Sequence, residues 1–191
     1  SLFFIPFGGM ICAIFFYFLL RRRVPFKELL LYVTAGYATH GLLDACTTYG
    51  TQLFWPFSHV RISWDNISII DPLFTVPLLL GFVAVLFLKR KSLVMGLWVF
   101  LLAYLGLGFF QNSRVQKALT NHLGEGQNIQ RVLTTPSFGN LLLWRGVVDD
   151  GQNLRAFAVW AGPTIKIKEG NQAKKYVLPS TANSSLKTFS W

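Results

Sequence analysis

Four apolar stretches, each close to the length of a bilayer crossing, constrain this chain more than any other feature. LFFIPFGGMICAIFFYFLL covers residues 2–20, and a second run covers about 29–49. ISIIDPLFTVPLLLGFVAVLFL covers 67–88, and LVMGLWVFLLAYLGLGFF covers 93–110. Crossing a hydrocarbon core of ~30 Å takes about 20 helical residues. A core helix of a soluble protein is usually shorter and amphipathic. The runs therefore predict about four transmembrane helices.

Composition agrees with this reading. Of 191 residues, 52% are hydrophobic and only 14% charged, below the roughly 25% of soluble domains. A net charge of +10 would suggest nucleic acid in a soluble chain. Here the basic residues cluster at the ends of the apolar runs, which is a signature of membrane topology and not of a nucleic-acid partner. Cys12 and Cys46 both fall in apolar runs, so they supply neither a disulfide framework nor a CxxC metal knuckle. In the first run the charges follow the apolar residues, unlike the order in a secretory signal.

The loops set an orientation. RRRVPFK (21–27) and KRKS (89–92) are short and basic, so they are expected in the cytoplasm. TQLFWPFSHVRISWDN (51–66) has one Arg, one Asp and several aromatics, which suit the outer interface. Residues 1–110 then form a four-helix membrane region. Residues 111–191 form a small extracytoplasmic domain, periplasmic if the membrane is a bacterial inner membrane. A helix is expected to continue from the fourth run and stop near Gly124. LLLWRGVV and LRAFAVW flank DDGQN, where Asp150-Gly151 signals a hairpin. TIKIK alternates strictly, AKKYVLP reads as a further strand, and STANSSLKTFSW reads as a mobile tail. The fold class is thus mainly α: a polytopic membrane protein with a small β-rich extramembrane C-terminal domain.

Inside the second run stands HGLLDACTTYG (40–50), with His40 and Asp44 four residues apart on one helix face. At 1.5 Å per residue, Asp44 lies about 22 Å from Leu29, within roughly 8 Å of the outer surface. Asp71 lies about 6 Å deep by the same rise, so the two carboxylates share a depth. Thr47 and Thr48 continue the polar stripe towards a shallow pocket open to the outside. Ionisable groups in a span are costly and default to functional sites. His and Asp are also ligands for Zn²⁺ or a similar divalent ion, though catalytic zinc usually takes three protein ligands. The alternative is a structural pair that hydrogen-bonds between helices. His59, in the interfacial loop, and His122, near the stop of the fourth helix, read as ordinary surface histidines.

THGLLDACTTYGTQLFWPFS (39–58) resembles the YdjM-like family of inner-membrane proteins described as metal-dependent hydrolases. The matching positions are His40, Asp44, Thr47 or Thr48, Gly50 and Trp55 to Ser58, followed by Asp71 in IIDPLFT. TTPSFGNLLLWRGVV (134–148) is similar to a later motif through Pro136, Asn140, Trp144 and Arg145. Family members carry a His-rich motif ending in Thr-His-Ser at the outer start of the first span. Ser1 would directly follow that final His, so the resemblance implies two further ligands upstream. It implies metal-assisted hydrolysis, in which a Zn²⁺-type ion lowers the pKa of bound water towards ~7. His40 and Asp44 would be ligands, and Asp71 a third ligand or the catalytic base. Thr47 or Thr48 would hydrogen-bond behind them. Arg61 or Arg145 would meet an anionic headgroup, the alternative being that each is solvated or structural. A pocket at this depth suits membrane lipids or a lipid-linked ester or phosphoester. The rival reading is a non-catalytic membrane scaffold or envelope-stress partner.

Overall fold

The computed structural model describes residues 1–20, 23–124 and 129–175. Arg21, Arg22, most of AKKYVLP and the tail STANSSLKTFSW lie outside the described residues. After a 3-10 turn at Leu2–Phe4 come α1 (Ile5–Leu19), α2 (Phe26–Ala45), α3 (Pro72–Leu88) and α4 (Lys91–Leu123). Four strands follow: β1 (Arg131–Pro136), β2 (Leu143–Asp149), β3 (Asn153–Ala161) and β4 (Ile165–Lys174). They form one antiparallel meander in the order β1-β2-β3-β4.

The helices pack as two hairpins, α1 on α2 and α3 on α4. Gly8 and Gly9 of α1 let Tyr37 and Thr34 of α2 come close, and Gly81 of α3 makes room for Leu97 of α4. Large side chains such as Ile11, Phe15, Leu80 and Phe87 point away from the protein, as expected of helices facing lipid and not water. Two helical stretches are long and apolar enough to cross a membrane, Leu2–Leu19 and Lys91–Leu123. Pro72–Leu88 is apolar but has only 17 residues, the short end of the crossing range. α2 has 20 residues but carries Lys27, Glu28, His40 and Asp44. The expected four helices are thus present, two of them with the dimensions of a span.

α4 runs without a break through the composition change near Gln111 and ends at Leu123, with Gly124 at φ +73° as its stop. Its 33 residues extend about 50 Å, longer than a hydrocarbon core of ~30 Å, and its C-terminal end carries a different role. That end is a wall of the C-terminal core. Val115, Leu119 and Leu123, four residues apart, pack on Trp144, Val148, Phe157 and Val159 of the sheet. Gly146 lies on the sheet beneath Leu119, where a side chain would collide with the Leu119 methyl. Gln111 is buried, and its Nε2 donates to the carbonyls of Ala161 at 2.7 Å and Leu141 at 3.4 Å. Cys46 and Ile67, from the connection between α2 and α3, belong to the same core.

The expected hairpin forms at Asp150-Gly151, with Gly151 at φ +91°. The Asp150 carboxylate accepts from Gln152 N at 3.0 Å and Asn153 N at 2.6 Å, which fixes the β2–β3 register. TIKIK forms the start of β4, and β4 takes in the first two residues of AKKYVLP.

Candidate functional site

The His-x-x-x-Asp spacing does what a 3.6-residue helix requires of it. On the last turns of α2, His40 Nε2 faces Asp44 Oδ2 at 3.5 Å. Both side chains are accessible, 71% for His40 and 46% for Asp44, so the pair is available to a ligand. Thr47 closes the helix beneath them, its Oγ1 donating to the Asp44 carbonyl at 2.7 Å. Thr48 follows, half-buried, in the bend before Gly50. Thr47 therefore supports the backbone that carries Asp44, acting on its carbonyl and not its carboxylate.

Asp71 has a different environment. It is 2% exposed. Oδ1 accepts from Leu73 N at 3.1 Å and Phe74 N at 3.3 Å, so Asp71 is the N-cap of α3. Oδ2 accepts from the Tyr104 hydroxyl of α4 at 2.7 Å. Oδ1 thus caps α3, and Oδ2 ties it to α4. Asp71-Pro72 is a cap-then-proline helix start, a signal in the sequence that points to this role. Among the described residues, no three His, Cys, Asp or Glu side chains come together as a metal-binding group. The described residues bring His40 and Asp44 together but do not add Asp71 to them. Two donors do not fit a complete catalytic zinc centre, which takes three protein ligands.

Arg61 lies in the connection between α2 and α3, and its Nη1 donates to the Tyr49 carbonyl at 3.0 Å. With Ser1, Gly50, Gln52 and Trp55 it lines a polar pocket. Ser1 is fixed there: its Oγ bonds the Trp55 carbonyl, and Leu2 N donates to Leu53 O at 2.8 Å. The first described residue therefore sits against the loop that follows α2. Arg145 is exposed on β2 and paired with Thr135 and Ala158. The motif around it shapes a turn. Asn140 Oδ1 accepts from Leu142 N and Leu143 N, and Gly139 N docks the turn on the Ile70 carbonyl. Trp144 is fully buried. His59 is exposed in the loop, and His122 is exposed in the last turn of α4, edge-on to Phe157.

Two spaces were not evident in the sequence. Between α2 and the α3/α4 hairpin lies an apolar cleft of about 870 Å³, with His40 in its wall among Leu43, Leu97, Leu101, Trp98 and Phe109. Such a volume is within the usual range for a small-molecule site. The second is a polar pocket of about 310 Å³ between the 46–70 connection, α4 and β1. Trp64 and Phe109 line both spaces. Helical periodicity marks neither, because each is made by elements distant in sequence.

A family model described as YdjM inner membrane protein matches residues 1–115, more than half of the chain. No curated protein and no solved structure matches it.

Proposed function

Because the chain belongs to the YdjM inner membrane protein family, we propose that it is a four-span inner-membrane hydrolase. Its site would lie at the outer face and act on a lipid or lipid-linked ester or phosphoester. The C-terminal sheet would then be periplasmic. One observation carries this reading: His40 belongs both to the accessible pair with Asp44 and to the wall of the apolar cleft. An apolar tail in the cleft would bring its polar end to the pair. His40 and Asp44 would hold a divalent ion of the zinc type, with the missing donors coming from outside the described residues. Ser1 is anchored against the loop that follows α2, so the start of α1 lies at the His40–Asp44 end of α2. Asp71, with both oxygens engaged, would serve the site by fixing α3 to α4. Arg61 is better placed than Arg145 to meet an anionic group, because Arg61 lies on the loop that follows the pair.

The scaffold reading requires the pair to join helices. Instead the pair lies within α2 and is accessible, and among the described residues neither side chain bonds another helix. The test is metal content of the protein purified from its native coding sequence, alongside His40→Ala and Asp44→Ala. The expected result is stoichiometric zinc-type metal in the wild type, lost in both variants while the melting temperature holds. Wild-type occupancy in both variants would reject the assigned ligands. A metal-free wild type would favour the scaffold.

A further inference from the structure

The polar pocket beside the cleft has the features of a headgroup site. Its lining includes Trp64, Asp65, Asn66, Asn112, Gln116 and Thr134. Asn66 is 1% exposed, and its Nδ2 has no hydrogen-bond partner among the described residues. A buried amide left without an acceptor costs roughly 1–3 kcal/mol, so its persistence points to a ligand atom that completes it. Beside it, Asp65 is held at φ +50°, a left-handed conformation uncommon outside glycine. Ser63 Oγ donates to Asp65 Oδ1 at 2.7 Å, which leaves the second carboxylate oxygen to accept another donor.

The surroundings are built to keep this arrangement. Asn112 Nδ2 donates to the carbonyls of Trp64 at 3.2 Å and Asp65 at 3.1 Å. Thr134 Oγ1 donates to Asn112 Oδ1 at 2.6 Å. Gly108 lets α4 approach the Asn66 backbone, where a Cβ would lie only 3.2 Å from the Asn66 carbonyl carbon. Asn112 thus spends both amide hydrogens and its oxygen on the frame, while Asp65 and Asn66 are the less exposed polar groups at the pocket.

Adjacent acceptor and donor groups match a hydroxyl, which donates to Asp65 and accepts from Asn66. No Lys or Arg is among the pocket's described lining residues, and one carboxylate is. A phosphate would meet repulsion from Asp65, and the Arg131 charge that reaches this carboxylate lies outside the lining residues. Trp64 offers an apolar face to a ring, and with Phe109 it continues into the apolar cleft. The geometry points to a membrane lipid with an uncharged, polyhydroxylated glycosyl headgroup, its head at Asp65 and Asn66 and its acyl chains in the α2–α4 cleft. This is a separate headgroup pocket beside the His40–Asp44 pair, and it rests on the reading under Proposed function only for the cleft being in the membrane. It requires no metal.

The test is native mass spectrometry of the protein released from nanodiscs holding equal amounts of phosphatidylethanolamine, phosphatidylglycerol and a diglycosyl diacylglycerol. The expected result is about tenfold enrichment of the glycosyl lipid, the scale of one hydrogen bond to a charged group. Asn66→Leu and Trp64→Ala should abolish it. Trp64 is at the surface, so Trp64→Ala keeps the test valid if Asn66→Leu does not fold. Equal retention of all three lipids, preference for either phospholipid, or enrichment unchanged in the Asn66 and Trp64 variants would overturn the assignment. Loss of metal in Asp44→Ala, a residue outside the linings of both the cleft and the pocket, with glycosyl-lipid enrichment retained would separate this inference from the hydrolase reading.

Discussion

Asp71 and Asp65 show how differently two carboxylates are used within a few residues of each other. Asp71 caps α3 and accepts from Tyr104. Asp71→Ala removes the cap, worth about 0.5–2 kcal/mol, and leaves the Tyr104 hydroxyl without that acceptor. We expect a clear fall in the melting temperature in detergent, with Asp71→Asn recovering most of it because an amide oxygen still caps. If Asp71 were instead a metal ligand or catalytic base, Asn would fail where it matters and the melting temperature would hardly move. Asp65 behaves in the opposite sense. Burial pushes its carboxyl above the usual range, against the opposing pull of the Ser63 hydrogen bond and the Arg131 charge. A raised folded pKa means that the favourable contribution is present at low pH and lost as pH rises through the folded value. Ionised Asp65 therefore destabilises the neutral-pH protein. Asp65→Asn, which tolerates the left-handed backbone, should raise the melting temperature at pH 7, and the gain should shrink on acidification. No gain at pH 7 would mean that burial does not dominate there. The sequence makes the His40–Asp44 pair legible because both residues share one helix. It conceals the Asp71–Tyr104 bond, which joins residues 33 apart, and the orphaned Asn66 amide, which depends on α4 passing close to a loop.

The helices themselves were legible as apolar runs, but their packing depends on small residues that hydropathy does not rank. Gly9 meets Thr34 so closely that an added Cβ would sit 3.0 Å from the Thr34 Cα. Backbone cannot yield there as a flexible side chain would. Gly9→Leu should separate α1 from α2 and cost about 1–3 kcal/mol, seen as a lower melting temperature and faster proteolysis of the 46–70 connection, against which Ser1 and Leu2 are anchored. Gly36→Leu is the control, since its Cβ position is open. In the sheet, the hairpin was readable from Asp150-Gly151, whereas β1 was not, because RVLTTP runs into a proline and a turn. β4 is tied down at its end by Lys175, whose Nζ bonds Asp149. That bond, with the Gly151 N–H, holds the Asp149 carboxyl below its usual range. The contribution is present above the unfolded value and lost as pH falls through the lower folded one. The protection factor at the end of β4, which corrects for slower intrinsic exchange in acid, should therefore fall on acidification below about pH 4, and Asp149→Asn should remove that dependence while lowering protection at neutral pH. An unchanged profile in the variant would assign the acid response elsewhere.

At the scale of the whole molecule, the change in composition near Gln111 falls inside a single element. α4 crosses it as one helix, and the core beyond it takes Val115, Leu119 and Leu123 from α4, Trp144 and Val159 from the sheet, and Cys46 and Ile67 from the connection after α2. The connection that follows the His40–Asp44 helix is thus built into the domain that the sequence separates from it. Hydropathy could not reveal this, because 46–70 reads as an interfacial loop and its buried members are few. Leu119 is the residue through which the coupling can be tested. It is fully buried and faces Gly146 on the sheet. Leu119→Ala should cost about 2–5 kcal/mol through lost burial and the cavity left behind. If the extramembrane part is one cooperative unit with the α2–α3 connection, that cost will appear equally in the sheet and in residues 46–70 when hydrogen exchange is followed segment by segment. The helical surfaces facing lipid should keep their protection. If only the sheet loosens and 46–70 stays protected, the domain is a separate body resting on the helices. In the cooperative case, the cleft beside His40 and the pocket at Asn66 share one fate, because Trp64 and Phe109, which line both, stand where the connection meets α4.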